Sequence, residues 1–425
     1  MKLPSMKKFV LLPVVVACAT AGQQASAESD SIVDAVKNGK AGVDFRLRYE
    51  NVETDLDSHD SANALTLRSR LNYTTDTFKG FGVMLEMDDV TSIDSVDYND
   101  GVNGKNGPAI ADPEGTEVNQ AYLSYTYKDT SGRYGRQRII LDNARFIGNV
   151  GWRQNEQTYD ATSITNKSLP DTNLFASYMT NVNRIFGEDS LVGDVHQSTT
   201  LLNASYEGFT WGKFTGYAYL LDGDPSSKQS AAGKNFDRWD TKTYGLRFAG
   251  STDATERVKV SYVAEYATQS DADDNPLSYD ADYYNLEGGI TFAGVTAKLG
   301  TEVLEADDED GFFITPMATL HKFQGWTDQF LGGGLGNIPG GIEDIYFSVG
   351  GKVAGFKLLA VYHDFTSDDK GASGNSSDDL GSEIGFMVAK KFGKNYGLQL
   401  KYSDYDADDH GVDTEKLWLT ATAKF

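Results

Sequence analysis

The chain has 425 residues and a formal net charge of −24, with 44 glycines, nine prolines, 12% aromatic residues and one cysteine. This composition provides no proline-rich linker and no disulfide framework, and so acidic a chain is not expected to bind nucleic acid, whose phosphates would repel it. No apolar run after residue 27 approaches the roughly 20 residues that a membrane-spanning helix needs, which leaves an all-β protein, either soluble or a membrane barrel.

The first 27 residues have the organisation of an export signal. A lysine-bearing start precedes an apolar stretch at residues 9–16, and small residues at 25–27 offer a cleavage site before Glu28. The apolar stretch is too short to cross a bilayer, so we expect it to be removed rather than to anchor the protein. Processing as a lipoprotein before Cys18 remains an alternative.

From residue 41 onwards, segments of about ten residues alternate between apolar and polar side chains, which is the period of a strand with two different faces. In the first of these segments, Arg46 and Arg48 alternate with apolar neighbours. We count about 18 segments, an even number that brings both chain ends to the same side of a membrane. The pattern therefore predicts an all-β fold, a transmembrane antiparallel up-and-down barrel of about 18 strands over residues 41–425, preceded by a periplasmic segment at 28–40.

The connections between these segments alternate between short and long. The turn at residues 293–294 is short, whereas the connections at 304–342 and 365–381 are long. The long connections carry most of the acid, including Glu305, Asp307, Asp308, Glu309 and Asp310 in one of them. Outer-membrane barrels have short periplasmic turns and long external loops, so these acidic loops are predicted to be extracellular. The expected surroundings are outer-membrane lipid and lipopolysaccharide.

The chain ends on an aromatic residue, Phe425, which follows a run of alternating apolar positions. Such an ending resembles the signal by which the barrel-assembly machinery recognises its clients. We therefore predict that Phe425 is an assembly signal and that this machinery is a partner.

Two sequence blocks resemble a known family. Residues 134–161 read YGRQRIILDNARFIGNVGWRQNEQTYDA, and residues 315–331 read TPMATLHKFQGWTDQFL. Both are similar to blocks of the alginate-export-like family of Gram-negative outer-membrane barrel porins. The resemblance implies an 18-stranded barrel with a polar, arginine-bearing lumen. It also leaves two roles open, since the best-known member exports an anionic polysaccharide and many relatives are assigned as porins.

The interior of a wide barrel is not filled by the side chains of its wall, so inward arginines can lie in water there. Alternation within the segments predicts inward arginines on three strands, two further arginines near the external end of the third strand, and carboxylates close by. The predicted pore-lining residues are Arg46, Arg48, Arg68, Arg70, Glu86, Asp88, Arg136, Arg138, Arg145 and Arg153. Such charges can select ions. Alternatively, they brace one another and the loops.

Neither catalysis nor a cofactor nor a metal site is expected. The five histidines are scattered, and the glycine run at residues 332–341 lacks the Lys-Ser/Thr of a phosphate loop, so we interpret it as a flexible external loop. The acids at 404–408 have the spacing of a calcium loop, but position 6 is Asp409 instead of glycine. A solvated acidic rim, or loose binding of divalent ions, fits this segment better.

The sequence therefore predicts an outer-membrane channel for passive diffusion of small hydrophilic solutes, preferentially anionic or carboxylate-bearing ones. Two alternatives remain open. One is an export conduit for an anionic polysaccharide such as alginate. The other is a non-conducting barrel that acts as an adhesin or structural anchor.

Overall fold

The computed structural model describes residues 28–56, 60–93, 98–224, 236–307, 311–369 and 378–425. The predicted export signal and the acidic residues at 308–310 lie outside the described residues. The strands and the helix, in chain order, are α1 (Ile32–Lys37), β1 (Lys40–Thr54), β2 (Ser61–Thr74), β3 (Phe81–Ser92), β4 (Gly115–Tyr127), β5 (Thr130–Gln137), β6 (Thr158–Asn166), β7 (Thr172–Asn183), β8 (Asp194–Phe209), β9 (Gly212–Leu221), β10 (Gly223–Asp224), β11 (Thr241–Asp253), β12 (Val258–Asp271), β13 (Asp280–Phe292), β14 (Val295–Leu304), β15 (Ile342–Val353), β16 (Phe356–Thr366), β17 (Asp379–Phe392), β18 (Tyr396–Ala407) and β19 (Thr414–Lys424).

Successive long strands pair antiparallel, and β1 pairs with β19 as well as with β2, so the sheet closes on itself. The two-residue strand β10 pairs with the first residues of β8, and β9 pairs directly with β11. Strand β10 is therefore not a separate strand of the wall. The wall therefore consists of 18 long strands, and the predicted up-and-down barrel is confirmed.

The two faces of the wall differ as a membrane barrel requires. Along β1, Phe45 and Leu47 are each 38% exposed on the outer face, whereas Arg46 and Arg48 between them are only 9% and 1% exposed. Because neighbouring residues of a strand point to opposite faces, the apolar face is outside and the polar face inside. No helix among the described residues is both long and apolar enough to cross a membrane.

Short turns lie at one end of the barrel and long connections at the other. The turn between β13 and β14 has only two residues, Ala293 and Gly294, and both have a positive φ (51° and 84°). Two-residue turns of this kind match the twist of the flanking strands. The chain terminus lies at the same end, where the backbone of Phe425 exchanges two hydrogen bonds with Val43 (2.8 and 3.0 Å).

Two of the long connections enter the barrel. Loop A (138–157) joins β5 to β6, and loop B (305–341) joins β14 to β15. The prediction that residues 332–341 form a flexible external loop is wrong, because Asn337 in this run is fully buried and its amide donates to Leu304 O and Phe313 O (3.2 and 2.9 Å). The loops are also joined to each other, since Gly148 N donates to Met317 O across 2.8 Å.

The segment before β1 forms the short helix α1. Its N-cap is Ser31, whose side chain accepts a hydrogen bond from Asp34 N. The segment is held against the turn between β2 and β3, where Ser29 N donates to Thr77 O and Asp76 N donates to Ala35 O. It therefore lies at the short-turn end of the barrel.

Candidate functional site

The barrel interior contains most of the charges predicted to line it. Alternation along β1 and β2 directs Arg46, Arg48 and Arg68 inward, where they are 9%, 1% and 5% exposed. Arg46 and Arg68 are directly opposite in the β1–β2 register, so two like charges face each other on neighbouring strands. Such a pair needs compensation from other groups. Arg68 obtains it from Asp44, at 3.0 Å.

Loop A and the connection between β3 and β4 provide the partners of the β1 arginines. The Arg46 guanidinium donates to Gln154 Oε1 (2.8 Å) and Gly151 O (2.9 Å). Arg48 lies over the Trp152 ring, 4.4 Å from its centroid, and 3.7 Å from the Asp112 carboxylate. Both arginines therefore attach the loop to the wall.

A second cluster combines wall and loop charges. Arg70 contacts Asp88 (2.6 Å) and Glu156 (2.8 Å), and Arg138 contacts Glu86 (2.9 Å) and Glu156. Burial alone would raise the pKa of Glu156, but Arg138 and Arg70 outweigh it and hold that pKa well below its usual range. Glu156 therefore remains a carboxylate that links β2 to the end of β5.

The remaining loop A arginines reach across the interior. Arg145 is fully buried, and its Nε donates to Glu302 Oε1 on β14 (2.9 Å). Arg153 lies 3.1 Å from Glu50 on β1 and 3.3 Å from Asp328 in loop B. The prediction that Arg145 and Arg153 lie near the external end of a strand is wrong, because β5 already ends at Gln137 and both residues belong to loop A.

The prediction that Arg136 points into the barrel is wrong. It is opposite Ala121 on β4 and shares its face with Tyr134, which is 71% exposed on the outer wall. Its guanidinium pairs with Asp160 (3.0 Å) and Glu188 (3.5 Å) near the long-loop end. Arg138 reaches the interior because it follows the last residue of β5 and no longer obeys the alternation of that strand.

Loop B is fastened by a glycine and a tryptophan that the sequence block contained. Gly325 has a φ of 81°, and a side chain at this position would collide with the Glu383 carboxylate on β17. That carboxylate accepts hydrogen bonds from the backbone of Trp326 and from Thr327, whose N and Oγ1 lie at 3.0 and 2.6 Å. The Gly-Trp pair thus allows a wall carboxylate to hold the loop backbone.

Both loops meet at one buried lysine. The ammonium of Lys401 on β18 lies 3.8 Å from the centroid of the Trp326 ring, 4.2 Å from that of Trp152 and 5.1 Å from that of Trp418. It also lies 2.7 Å from His321 Nε2 in loop B. Cation–π contacts gain strength when the cation is desolvated, so this cage joins loop A, loop B and the wall. Trp152 and Trp326 lie in the two sequence blocks that resemble the known family, whereas nothing in the sequence marked Lys401.

His321 is kept neutral in this cage. Its ring stacks on Trp152 at 4.3 Å, and its Nδ1 lies 2.8 Å from Asp328. Burial lowers the pKa of His321 to about 3, which Asp328 opposes and Lys401 assists. The pKa of Asp328 is also lowered, because His321, Lys416 and Arg153 outweigh the effect of burial.

Basic side chains remain solvent-accessible on the inner wall towards the short turns. We call Lys352, Lys357 and Lys391 the lysine arc, since they are exposed inward-facing residues near the ends of β15, β16 and β17. Lys352 and Lys357 are directly opposite in the register, a repulsive arrangement on adjacent strands. Elsewhere on the inner wall, near the starts of β9 and β14, Lys213 and Lys298 keep 36% and 39% of their side-chain surface exposed although they contact Asp142 and Glu287.

The described part of the chain holds no group of three or more His, Cys, Asp or Glu side chains that could bind a metal ion. This includes the acidic run at 404–408, which the sequence compared with a calcium loop.

The sequence profile of the family described as alginate export matches residues 38–305, more than half of the chain. No protein of curated description matches the sequence. Several solved structures match the fold at low identity. Pseudomonas aeruginosa OccK9 (OpdG) is 12% identical with a TM-score of 0.71, covering 92% of this chain and 99% of that one. Acinetobacter baumannii OccAB4 is 14% identical with a TM-score of 0.69, covering 91% and 98%. Pseudomonas aeruginosa OpdK with vanillate is 11% identical with a TM-score of 0.68, covering 92% and 99%.

Proposed function

The chain belongs to the alginate export family, and from this premise we propose that it is an outer-membrane channel for passive diffusion of small anionic solutes. The main support for the proposal is that charged side chains are paired in one part of the inner wall and exposed in another. The interior charges around loops A and B pair with one another, whereas the lysine arc at the short-turn end is exposed and has a repulsive cross-strand pair. A fixed positive field at one mouth raises the local concentration of anions.

The two inward loops favour small solutes over polymers. They are attached to the wall at β1, β14, β17 and β18 through buried ion pairs and hydrogen bonds. Removing one partner of such a buried pair costs about 3–5 kcal/mol, so thermal motion alone would rarely withdraw the loops. A polysaccharide chain would need a wider, continuous path.

We take a carboxylate as the first solute class to test. OpdK, a structure of similar fold, contains vanillate, and a carboxylate is a natural partner of lysine ammonium groups. The pore-lining role of the remaining predicted residues is part of this proposal, but Arg136 is not. Arg46, Arg48, Arg68, Arg70, Arg138, Arg145 and Arg153, with Glu86 and Asp88, would shape the constriction by positioning the loops rather than by presenting free charge.

The proposal also includes the location of the protein and the way it is assembled. A barrel with an apolar outer face belongs in the outer membrane. We propose that export uses a cleaved signal over residues 1–27, that Phe425 is the assembly signal for the barrel-assembly machinery, and that lipopolysaccharide surrounds the long-loop end. The loop–wall ion pairs give the interior charges a structural role, and we infer no catalytic activity.

Planar-bilayer recording tests this function. We expect the wild-type channel to show a weak anion preference at low salt, and the variant K352Q/K357Q/K391Q to move the reversal potential towards that of a cation-selective channel. The matched control is K390Q, since Lys390 adjoins the arc in sequence but faces outward between Phe356 and Leu398. An absence of current would indicate a non-conducting anchor. A reversal potential that the triple variant leaves unmoved would overturn the role of the arc.

The polysaccharide conduit, which the family description favours, needs a separate measurement. Liposome swelling with uncharged sugars of increasing size reports the largest solute that passes. We expect uptake to stop at small oligosaccharides. Passage of a long polymer through the unmodified channel would support export instead.

A further inference from the structure

A groove of about 470 Å³ lies on the outer wall between β16 and β2, on the side away from the lumen. Its floor includes Ala421 on β19, which is opposite Leu398 on one neighbouring strand and Leu47 on the other. Because alanine is much shorter than these leucines, the wall is depressed along β19. The lining is otherwise almost entirely apolar, so the groove continues the lipid-facing surface described above.

One cation lines this groove. Lys390 lies in the register between Phe356 and Leu398, two residues before the end of β17. Its ammonium lies 4.2 Å from the Phe356 ring centroid and 5.4 Å from that of Phe392. In the described part of the chain, no carboxylate forms an ion pair with it. The positive charge is therefore at the short-turn end of the groove, where the membrane interface is expected.

We propose that this groove binds an anionic phospholipid of the periplasmic leaflet. An acyl chain fills the apolar depression over Ala421, and the headgroup phosphate pairs with Lys390. Lysine side chains lay their stems along apolar surface and keep the ammonium at the interface, and basic groups there attract anionic headgroups. The proposal rests on the proposed membrane placement of the barrel but not on its conducting a solute.

A second groove on the same outer wall provides an internal comparison. It has a similar size, about 450 Å³, and is lined by small and apolar residues of β6 to β9, including Ala176, Ala204, Gly216 and Ala218. No lysine or arginine lines it. If depth alone retained lipid, the two grooves would behave alike. The proposal requires that only the groove with Lys390 prefers an anionic headgroup.

The experiment uses the full mature barrel in nanodiscs of phosphatidylglycerol and phosphatidylcholine, and native mass spectrometry counts the lipids that remain bound. We expect wild-type protein to retain phosphatidylglycerol in excess, and K390Q to lose that excess by about fivefold, the size expected for one interfacial lysine. K391Q is the matched control, because Lys391 points into the barrel, and should retain the wild-type ratio. Heat-shifted electrophoretic mobility establishes that each variant is assembled.

A second variant fills the groove instead of removing the charge. A421L should reduce retention of both lipids, while A218L in the second groove should leave the phosphatidylglycerol excess unchanged. An unchanged lipid ratio in K390Q, or an equal loss in K391Q, would overturn the site. The proposed channel function is judged on different readouts, since K391Q is expected to affect current and K390Q is not.

Discussion

The Arg145 guanidinium of loop A donates to Glu302 Oε1 on β14 across 2.9 Å, and both side chains are buried. The same carboxylate accepts a hydrogen bond from Tyr283 (2.8 Å), and Arg145 also donates to Thr315 in loop B (2.9 Å). Arg145 thus joins loop A both to a wall carboxylate and to loop B, although residues 145, 302 and 315 lie far apart in the sequence.

We expect R145M to loosen loop A and raise single-channel conductance. The substitution leaves Glu302 buried without its cation, which costs about 3–5 kcal/mol, and release of the loop relieves that cost. The double variant R145M/E302Q removes the orphan charge and should conduct more nearly as the wild type does. Equal conductance in wild type and R145M would show that the pair does not position the loop.

Acid should release the loops through His321. The pKa of His321 is about 3 in the folded cage, against about 6.5 in a released loop, so between these values the released state binds more protons. The cage is therefore fully stable above about pH 6.5 and loses stability as the pH falls towards 3. Protonation of Asp328, whose pKa is also lowered, adds to the loss at the acidic end.

The measurement is single-channel conductance between pH 7.5 and pH 4.5. Wild-type channels should open further or become noisier in the acidic half of the range, and H321Q should flatten this dependence. H196Q, which replaces an exposed histidine on β8 outside both loops, is the control and should retain it. A flat wild-type profile would contradict the assignment.

The substitution G325A should unfasten loop B. It introduces a side chain at a φ of 81° and against the Glu383 carboxylate. Left-handed backbone costs about 1–2 kcal/mol for a residue with a Cβ, and the collision adds to that. We expect increased tryptophan quenching by acrylamide, because Trp326 loses its backbone hydrogen bond. The control G333A has a similar φ of 68° but meets no atom within 4 Å, so it separates strain from collision.

Deletion of Phe425 should impair assembly. It removes the two backbone hydrogen bonds with Val43 and the ring contact with Tyr396, whose centroid lies 5.9 Å away. An unpaired strand edge is poorly tolerated in hydrocarbon, so fewer barrels should show heat-shifted mobility. F425Y keeps the backbone and the ring and should assemble normally. Full assembly of the deletion would argue against Phe425 as a signal.

Orientation can be tested on intact cells. An epitope inserted between Asp408 and Asp409, in the connection at the long-loop end, should be reached by antibody. One inserted at Gly393, in the short turn between β17 and β18, should be reached only after permeabilisation. The reverse pattern would invert the proposed topology.

The strands were predictable because alternation is a local signal. The predicted start of the first segment, residue 41, lies one residue from the observed start of β1 at Lys40, and the predicted count of about 18 segments equals the number of long strands. Each strand needs only its own side chains to show which face is apolar, and a barrel repeats that signal along the whole chain.

The path of the loops was not predictable in the same way. Arg145 and Glu302 carry no local mark of their contact, since the pair forms only when β14 stands opposite loop A across the closed barrel. The two resembling blocks gave a partial signal, because they correspond to the two loops that meet at Lys401. Arg136 was misplaced although Tyr134, two residues earlier, is an aromatic typical of the lipid face.

The seam between β1 and β19 has a kinetic consequence. Every other long pair joins long strands that follow one another in the chain, but Asp44 and Lys424 come from opposite ends of the chain. Bringing such distant segments together carries a larger loop-closure entropy than forming a hairpin, and contacts of high contact order form late. Closing the seam is therefore expected to limit the folding rate. Because Arg46 and Glu50 on β1 hold loop A, that loop can acquire its final position only when the seam strand is in place.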